Sequence, residues 1–132
     1  MGKTYMTSQI NPSPTIVEKA GANIPDVRGL LLKYDSNGDV VVASTEGELV
    51  IGSGIITNNE NVKQGQDVDI QIKDIGPVKA GATIKKGTEL MVDASGKAVA
   101  ATAGKFVIGI ALENAVDGQL TFIQFAKYYK AA

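Results

Sequence analysis

From residue 29 onward, short apolar runs alternate with glycine-bearing turns, and apolar residues almost nowhere recur at a helical spacing. Leu30–Tyr34 is an apolar run, and Asp35-Ser36-Asn37-Gly38 is a turn whose Asn-Gly pair accepts positive φ. Asp39–Ser44 then returns as a β-branched strand, which predicts a hairpin. Glu48–Ile51 and Gly54–Thr57 predict two more short strands about Gly52, and Asn58–Lys63 reads as a polar loop. Asp67–Ile72 alternates strictly: Val68, Ile70 and Ile72 share one face, and Asp67, Asp69 and Gln71 the other. That is the period of a half-buried strand.

A connection through Ile75-Gly76-Pro77-Val78 and Ala80–Lys86 leads to a second run of the same kind. Its parts are Glu89–Asp93, a turn at Ser95-Gly96, Ala98–Thr102, Phe106–Leu112, a turn at Asp117-Gly118 and a closing strand Leu120–Phe125. The tail Lys127–Ala132 is a candidate helical turn, and no longer stretch carries helical periodicity with a cap at each end.

The two runs read as copies. Asp35 and Gly38 recur as Asp93 and Gly96; Gly47, Ile51 and Gly52 recur as Gly104, Ile108 and Gly109. More loosely, the GQDVDIQI beginning at Gly65 recurs as the GQLTFIQF beginning at Gly118. The expected fold is therefore mainly β: a compact, small β-barrel- or β-sandwich-like domain over 29–132, with related units at about 29–72 and 87–125. One barrel-like body is expected, because a single unit of that size buries too little apolar surface alone.

Residues 1–28 differ in kind. They hold Pro12, Pro14 and Pro25, three of the four prolines, among scattered apolar residues. Proline lacks a backbone donor and restrains its predecessor to extended conformations, so this segment reads as an extended N-terminal arm with a short strand at Thr15–Glu18.

Composition narrows the function. Hydrophobic residues are 44% and charged residues 20% of the 132-residue chain, which fits a folded domain. Lys and Arg total 13 against 14 Asp and Glu, so no basic excess points to direct nucleic-acid binding. With no cysteine, disulfides and thiolate chemistry are excluded; with no histidine, the commonest general base and metal ligand are missing too. No apolar stretch reaches membrane-span length, and the N-terminus lacks a signal-peptide core, so a soluble product made in the cytoplasm is expected, with no membrane partner.

Individual motifs add little chemistry. Asp35, Asn37, Asp39 and Glu46 have the spacing of some calcium-loop ligands, but Val40 occupies the position that needs glycine, so a hairpin turn is the better reading. Gly52-Ser53-Gly54 resembles a fragment of a phosphate loop without the helix that would follow it, and reads as a bend. Ser44 and Ser53 have no histidine to activate them, and the carboxylates alternate with apolar residues or sit in turns. No enzyme activity, metal or cofactor is expected.

Three features carry a resemblance in the second half: Lys79-Ala80-Gly81-Ala82-Thr83-Ile84-Lys85-Lys86-Gly87, then Ala100-Ala101-Thr102-Ala103-Gly104, then Ile108-Gly109-Ile110-Ala111. With Ile51-Gly52-Ser53-Gly54-Ile55 and Gly65-Gln66-Asp67-Val68 in the first half, they resemble the head-decoration (cement) proteins of tailed bacteriophages. The resemblance covers about residues 29–125. It implies a virion protein bound to the major capsid protein on the outer surface of the expanded head, as a homotrimer, stabilising the shell against DNA pressure. In that role the arm would add to a capsid strand edge, with Tyr5, Met6, Ile10, Ile16 and Val17 as contacts. One alternative is another virion adaptor, in tail, fibre or baseplate. The other is a lipoyl- or biotinyl-type carrier domain, with Lys97 after the Ser95-Gly96 turn as the attachment site.

Overall fold

The alternating segments form twelve strands and no helix among residues 13–132, the part of the chain that its computed structural model describes. Seven strands belong to the first half: β1 (Thr15–Lys19), β2 (Ile24–Pro25), β3 (Leu31–Tyr34), β4 (Val40–Val42), β5 (Gly52–Gly54), β6 (Asn61–Val62) and β7 (Asp67–Gln71). Five belong to the second: β8 (Ile75–Lys79), β9 (Glu89–Val92), β10 (Ala98–Ala100), β11 (Phe106–Ala111) and β12 (Leu120–Tyr129). They build two five-stranded antiparallel sheets, ordered β1-β7-β5-β3-β4 and β8-β12-β11-β9-β10, and a ribbon of β2 with β6.

The two sheet orders correspond strand for strand. Hydrogen bonds follow the same correspondence. Gly21 N–H donates to the Val40 carbonyl at 2.7 Å, as Gly81 N–H does to Ala98 at 2.8 Å. Gly65 N–H donates to the Ala20 carbonyl as Gly118 N–H does to Ala80, both at 2.8 Å. An Ile84–Ala115 bridge stands where the first unit has its β2–β6 ribbon. The repeat therefore begins earlier than its glycine corners suggest, where Lys19-Ala20-Gly21-Ala22-Asn23-Ile24 recurs as Lys79-Ala80-Gly81-Ala82-Thr83-Ile84.

Residues 15–28, expected to lie in an arm, are built into the first unit. β1 pairs with β7 along its length, and Ala20, Ile24 and Val27 are buried. The prolines here have local roles: Pro25 ends a two-residue strand, and the Pro14 carbonyl accepts from Ile72 N–H at 2.8 Å.

Both hairpins are fixed by an aspartate. Asp35 Oδ1 accepts from Asn37 and Asp39 N–H at 2.8 and 3.0 Å; Asp93 Oδ1 accepts from Ser95 and Lys97 N–H at 2.8 and 2.9 Å. The carboxylate thus supplies the turn with the acceptor that the reversed backbone lacks.

Among the described residues no closed barrel forms. In each sheet the edge strands meet at a single parallel bridge, Ala20–Val40 in one and Ala80–Ala98 in the other. β4 and β10 are three residues long, too short to extend that contact into a ladder. The apolar inner faces form two clusters. One lies within the first unit, around Leu32, Val68 and Ile70. The other joins the units, because Leu31, Ala43 and Val50 enter the cluster of Val78, Leu90, Ile108 and Ile123.

Backbone bonds cross the same boundary: Leu31 N–H to Gly96, and Gly47 N–H to Val92, both at 2.8 Å. The 44–48 loop that carries Gly47 is held by Glu48, whose carboxylate accepts from Ser44 and Thr45 N–H at 2.8 and 2.7 Å and from Lys33 Nζ at 3.1 Å. Burial works to raise the Glu48 pKa, but these donors outweigh it and hold it below the usual carboxylate value.

Several local expectations change. The connection expected through Ile75–Val78 is strand β8, and the strand expected at Gly54–Thr57 keeps only Gly54, with Ile56 and Thr57 in a turn. The strand expected at 48–51 forms instead at Gly52–Gly54, where the sequence predicts a bend. There the backbone passes so close to β7 that a Cβ on Gly52 would lie 1.9 Å from the Gln71 carbonyl oxygen. Only glycine permits that approach. At the C-terminus the expected helical turn is strand, since β12 runs through Tyr129 and pairs Tyr129 with Phe106. Their rings meet edge to face at 5.2 Å.

Candidate binding surface

The positions with possible chemistry are occupied by structural roles. Ser53 is buried in β5 between Leu31 and Gln71. Lys97 follows the apex of the β9–β10 turn, and its N–H bonds back to Asp93. It is only partly exposed and does not stand at the tip as a carrier lysine would.

The outer sheet faces are more informative. Outward on the β1–β7 pair, Lys19 lies opposite Asp67 and Val17 opposite Asp69, with a Lys19–Asp67 ion pair of 2.6 Å. The same register on β8–β12 sets Lys79 opposite Leu120, Pro77 opposite Phe122, and Ile75 opposite Gln124. Phe122 is 45% exposed and Ile75 57%. Leu112, whose N–H donates to the Phe122 carbonyl at 3.3 Å, adds a further exposed apolar side chain. The first unit thus presents a charged face where the second presents an apolar one.

A depression of about 460 Å³ borders this apolar face, where Ile56 of the first unit approaches Leu120. Asp26, Arg28 and Lys79 line its polar side. Lys79 finds no aspartate across the strand and reaches Asp26 Oδ2 at 3.0 Å, while Arg28 Nε bonds Asp26 Oδ1 at 2.9 Å. The Lys79 hydrogen bond, followed by that of Arg28, holds the Asp26 carboxyl below its ordinary value. Asp26 sits at φ 48, a left-handed conformation that aspartate tolerates better than most residues. An apolar centre beside a partly exposed arginine is the composition of a protein-binding patch.

The edges of the two sheets differ as well. Antiparallel pairing turns alternate backbone groups toward and away from the neighbour. Ala20 N–H points to β7, so the N–H groups of Val17 and Lys19 face the open edge, with no backbone partner among the described residues. At the corresponding positions of β8, Pro77 has no N–H, and Lys79 N–H is bonded to the Gly29 carbonyl at 2.8 Å. The first sheet has an edge that can accept another strand; in the second it is blocked.

Of the residues expected to touch a capsid, Tyr5, Met6 and Ile10 lie outside the described residues. Ile16 and Val17 fall on opposite faces of β1: Ile16 packs on the first core cluster, and Val17 is 58% exposed. Sequence reasoning missed Ile56, Ile75, Leu120 and Phe122. The signal was present where the repeat replaces Asp67 and Asp69 by Leu120 and Phe122.

A family model described as phage cement protein matches residues 36–124. Among solved structures, the head fiber gp8.5 N base in bacteriophage phi29 is similar, with a TM-score of 0.63, 23% sequence identity, and coverage of 85% of this chain and 92% of that one. At that identity the likeness is one of fold. No curated protein matches the chain.

Proposed function

Since the chain belongs to the phage cement protein family, we propose that it decorates the outside of an expanded bacteriophage head and stabilises the shell against the pressure of packaged DNA. The observation that carries this reading is the family match itself, which runs from the first hairpin turn to the closing strand and so includes most of both units. Its partner is the major capsid protein, and it binds as a homotrimer after synthesis in the host cytoplasm. Its role is structural, not catalytic.

Attachment uses the open edge of β1 and the residues before it. A shell strand laid along Val17 and Lys19 would satisfy their outward N–H groups, with Val17 as an exposed anchor and Tyr5, Met6 and Ile10 adding contacts upstream. Ile16 then acts indirectly, by fixing β1 to the core. Many copies on one shell convert weak single contacts into durable attachment. A second reading, a base that carries a fibre on the head, is favoured by the likeness to the head fiber base of phi29.

The test is add-back to expanded capsids stripped of their decoration, followed by a density gradient. The protein should co-sediment with the shells and raise the temperature at which they rupture. Removing residues 2–12, which leaves β1 intact, should abolish co-sedimentation. Full-length protein that stays at the top of the gradient overturns the reading. Bound protein that carries a further virion chain outward favours the fibre base.

A further inference from the structure

We infer that copies of this chain associate head to tail, the apolar outer face of the second unit seating on the acidic outer face of the first unit in the next copy. This deepens the trimeric part of the reading above by naming the surfaces.

Two observations motivate it. The fold does not need the apolar face, because the first unit forms the same sheet in the same register with Asp67 and Asp69 where the second has Leu120 and Phe122. Exposed apolar side chains clustered beside an ion triad therefore point to an occupant. The second observation is charge. The rim of the apolar face carries Arg28 and Lys79 against Asp26, a surplus of one positive charge. Arg28 uses Nε for Asp26, which leaves the two terminal guanidinium nitrogens without a partner among the described residues. The face of the first unit carries Asp67 and Asp69 against Lys19, a surplus of one negative charge, and Asp69 has no ion partner among the described residues.

The chain thus holds both halves of a complementary contact. Asp69 supplies a two-oxygen acceptor for the Arg28 fork, and the methylene stem of the exposed Lys19 on the same face supplies an apolar contact for Phe122. A back-to-back arrangement through the apolar faces would bring two positive rims together. Charge therefore selects the heterologous contact over the twofold one, and a heterologous contact whose rotation closes builds a ring.

The experiment is light scattering on the purified full chain and on two variants. The wild type should run at a multiple of its 13.8 kDa chain mass. Phe122→Asp and Asp69→Lys should each be monomeric, since each spoils one half of the contact. Mixed in equal amounts they should form a heterodimer, because one keeps the acidic face and the other the apolar face. Leu120→Lys serves as a second apolar-face variant and should behave as Phe122→Asp. A monomeric wild type overturns the inference even if Phe122→Asp weakens shell binding, because the shell is then the occupant. Assembly that survives Asp69→Lys also overturns it, because the contact is then back to back. Neither result touches the cement reading, which the capsid add-back decides separately.

Discussion

The β1–β7 pair of the first unit and the β8–β12 pair of the second share a register and an inner face but not an outer one. Inward, Val68 and Ile70 correspond to Thr121 and Ile123, and all four are fully buried. Outward, an ion pair and a second aspartate correspond to leucine and phenylalanine. Positions that fill the core must suit its volume in both copies, so they diverge little. Positions facing water are free to change, and a costly change toward apolar there needs a cause outside the fold. The comparison separates what the chain needs to fold from what it presents to others.

The sharpest way to break it uses two neighbours on β12. Ile123→Ala should cost about 2–5 kcal/mol, as truncation of a buried aliphatic does. Phe122→Ala, one residue earlier, should cost about 1 kcal/mol or less, since the ring is already half in water. Denaturant unfolding midpoints check both. Equal losses would make Phe122 part of the core and remove the distinction between the faces.

A second measurement asks whether the inner correspondence holds at its tightest point. A Cβ at Gly52 would lie 1.9 Å from the Gln71 carbonyl oxygen, and one at Gly109 would lie 2.2 Å from that of Gln124. Gly52→Ala and Gly109→Ala should each destabilise by about 1–3 kcal/mol, because a strand must shift to admit the methyl. Similar losses are expected in thermal melts. A loss confined to one variant would show that the copies have relaxed differently.

Much of this architecture could be read in the sequence. The Asn-Gly hairpin, the strict alternation of Asp67–Ile72 and the paired glycine corners each depend on local chemistry, and each forms as expected. The start of the repeat was obscured by composition: Pro14 and Pro25 suggest an arm, yet a two-residue strand and a carbonyl acceptor use proline without loss. The outer faces were harder to read. Leu120, Phe122 and Ile123 look alike in sequence, and only the pairing with β8 and β11 shows that Phe122 faces out while Ile123 faces in. The strand at Gly52–Gly54 was hidden because its residues carry almost no β propensity; close approach of β7 places it there.

A smaller effect is expected where the units are asymmetric by sequence. Glu48 aligns with Lys105 in the repeat, so only the first unit has a carboxylate to tie its loop. Glu48→Ala removes the acceptor of two backbone N–H groups and of Lys33. The expected cost is about 1–2 kcal/mol, read as a lower denaturation midpoint. Lys105→Ala should cost less, since no hydrogen bond is made by its ammonium among the described residues. The reverse order would mean that the loop is held by packing beneath Gly47, not by the carboxylate.

The smallest effect concerns the triad beside the apolar face. Asp26 has a folded pKa below its ordinary 3.8, because its charged form accepts from Lys79 and Arg28. The unfolded chain therefore binds the proton more readily, and stability rises with pH across the interval between the two values. The contribution is present in full above about 4 and is lost as the pH falls through the folded value. Asp26 is nearly half exposed, so the pairs are screened and the change in unfolding midpoint is modest. Asp26→Asn keeps the left-handed backbone acceptable and removes the charge, so it should flatten this part of the acid limb while leaving the neutral plateau slightly lower. An acid limb that is identical in Asp26→Asn would mean that Lys79 is not held by Asp26 in solution. Lys79 would then be free to meet an acidic partner directly, and the positive rim of the apolar face would be stronger than the folded geometry implies.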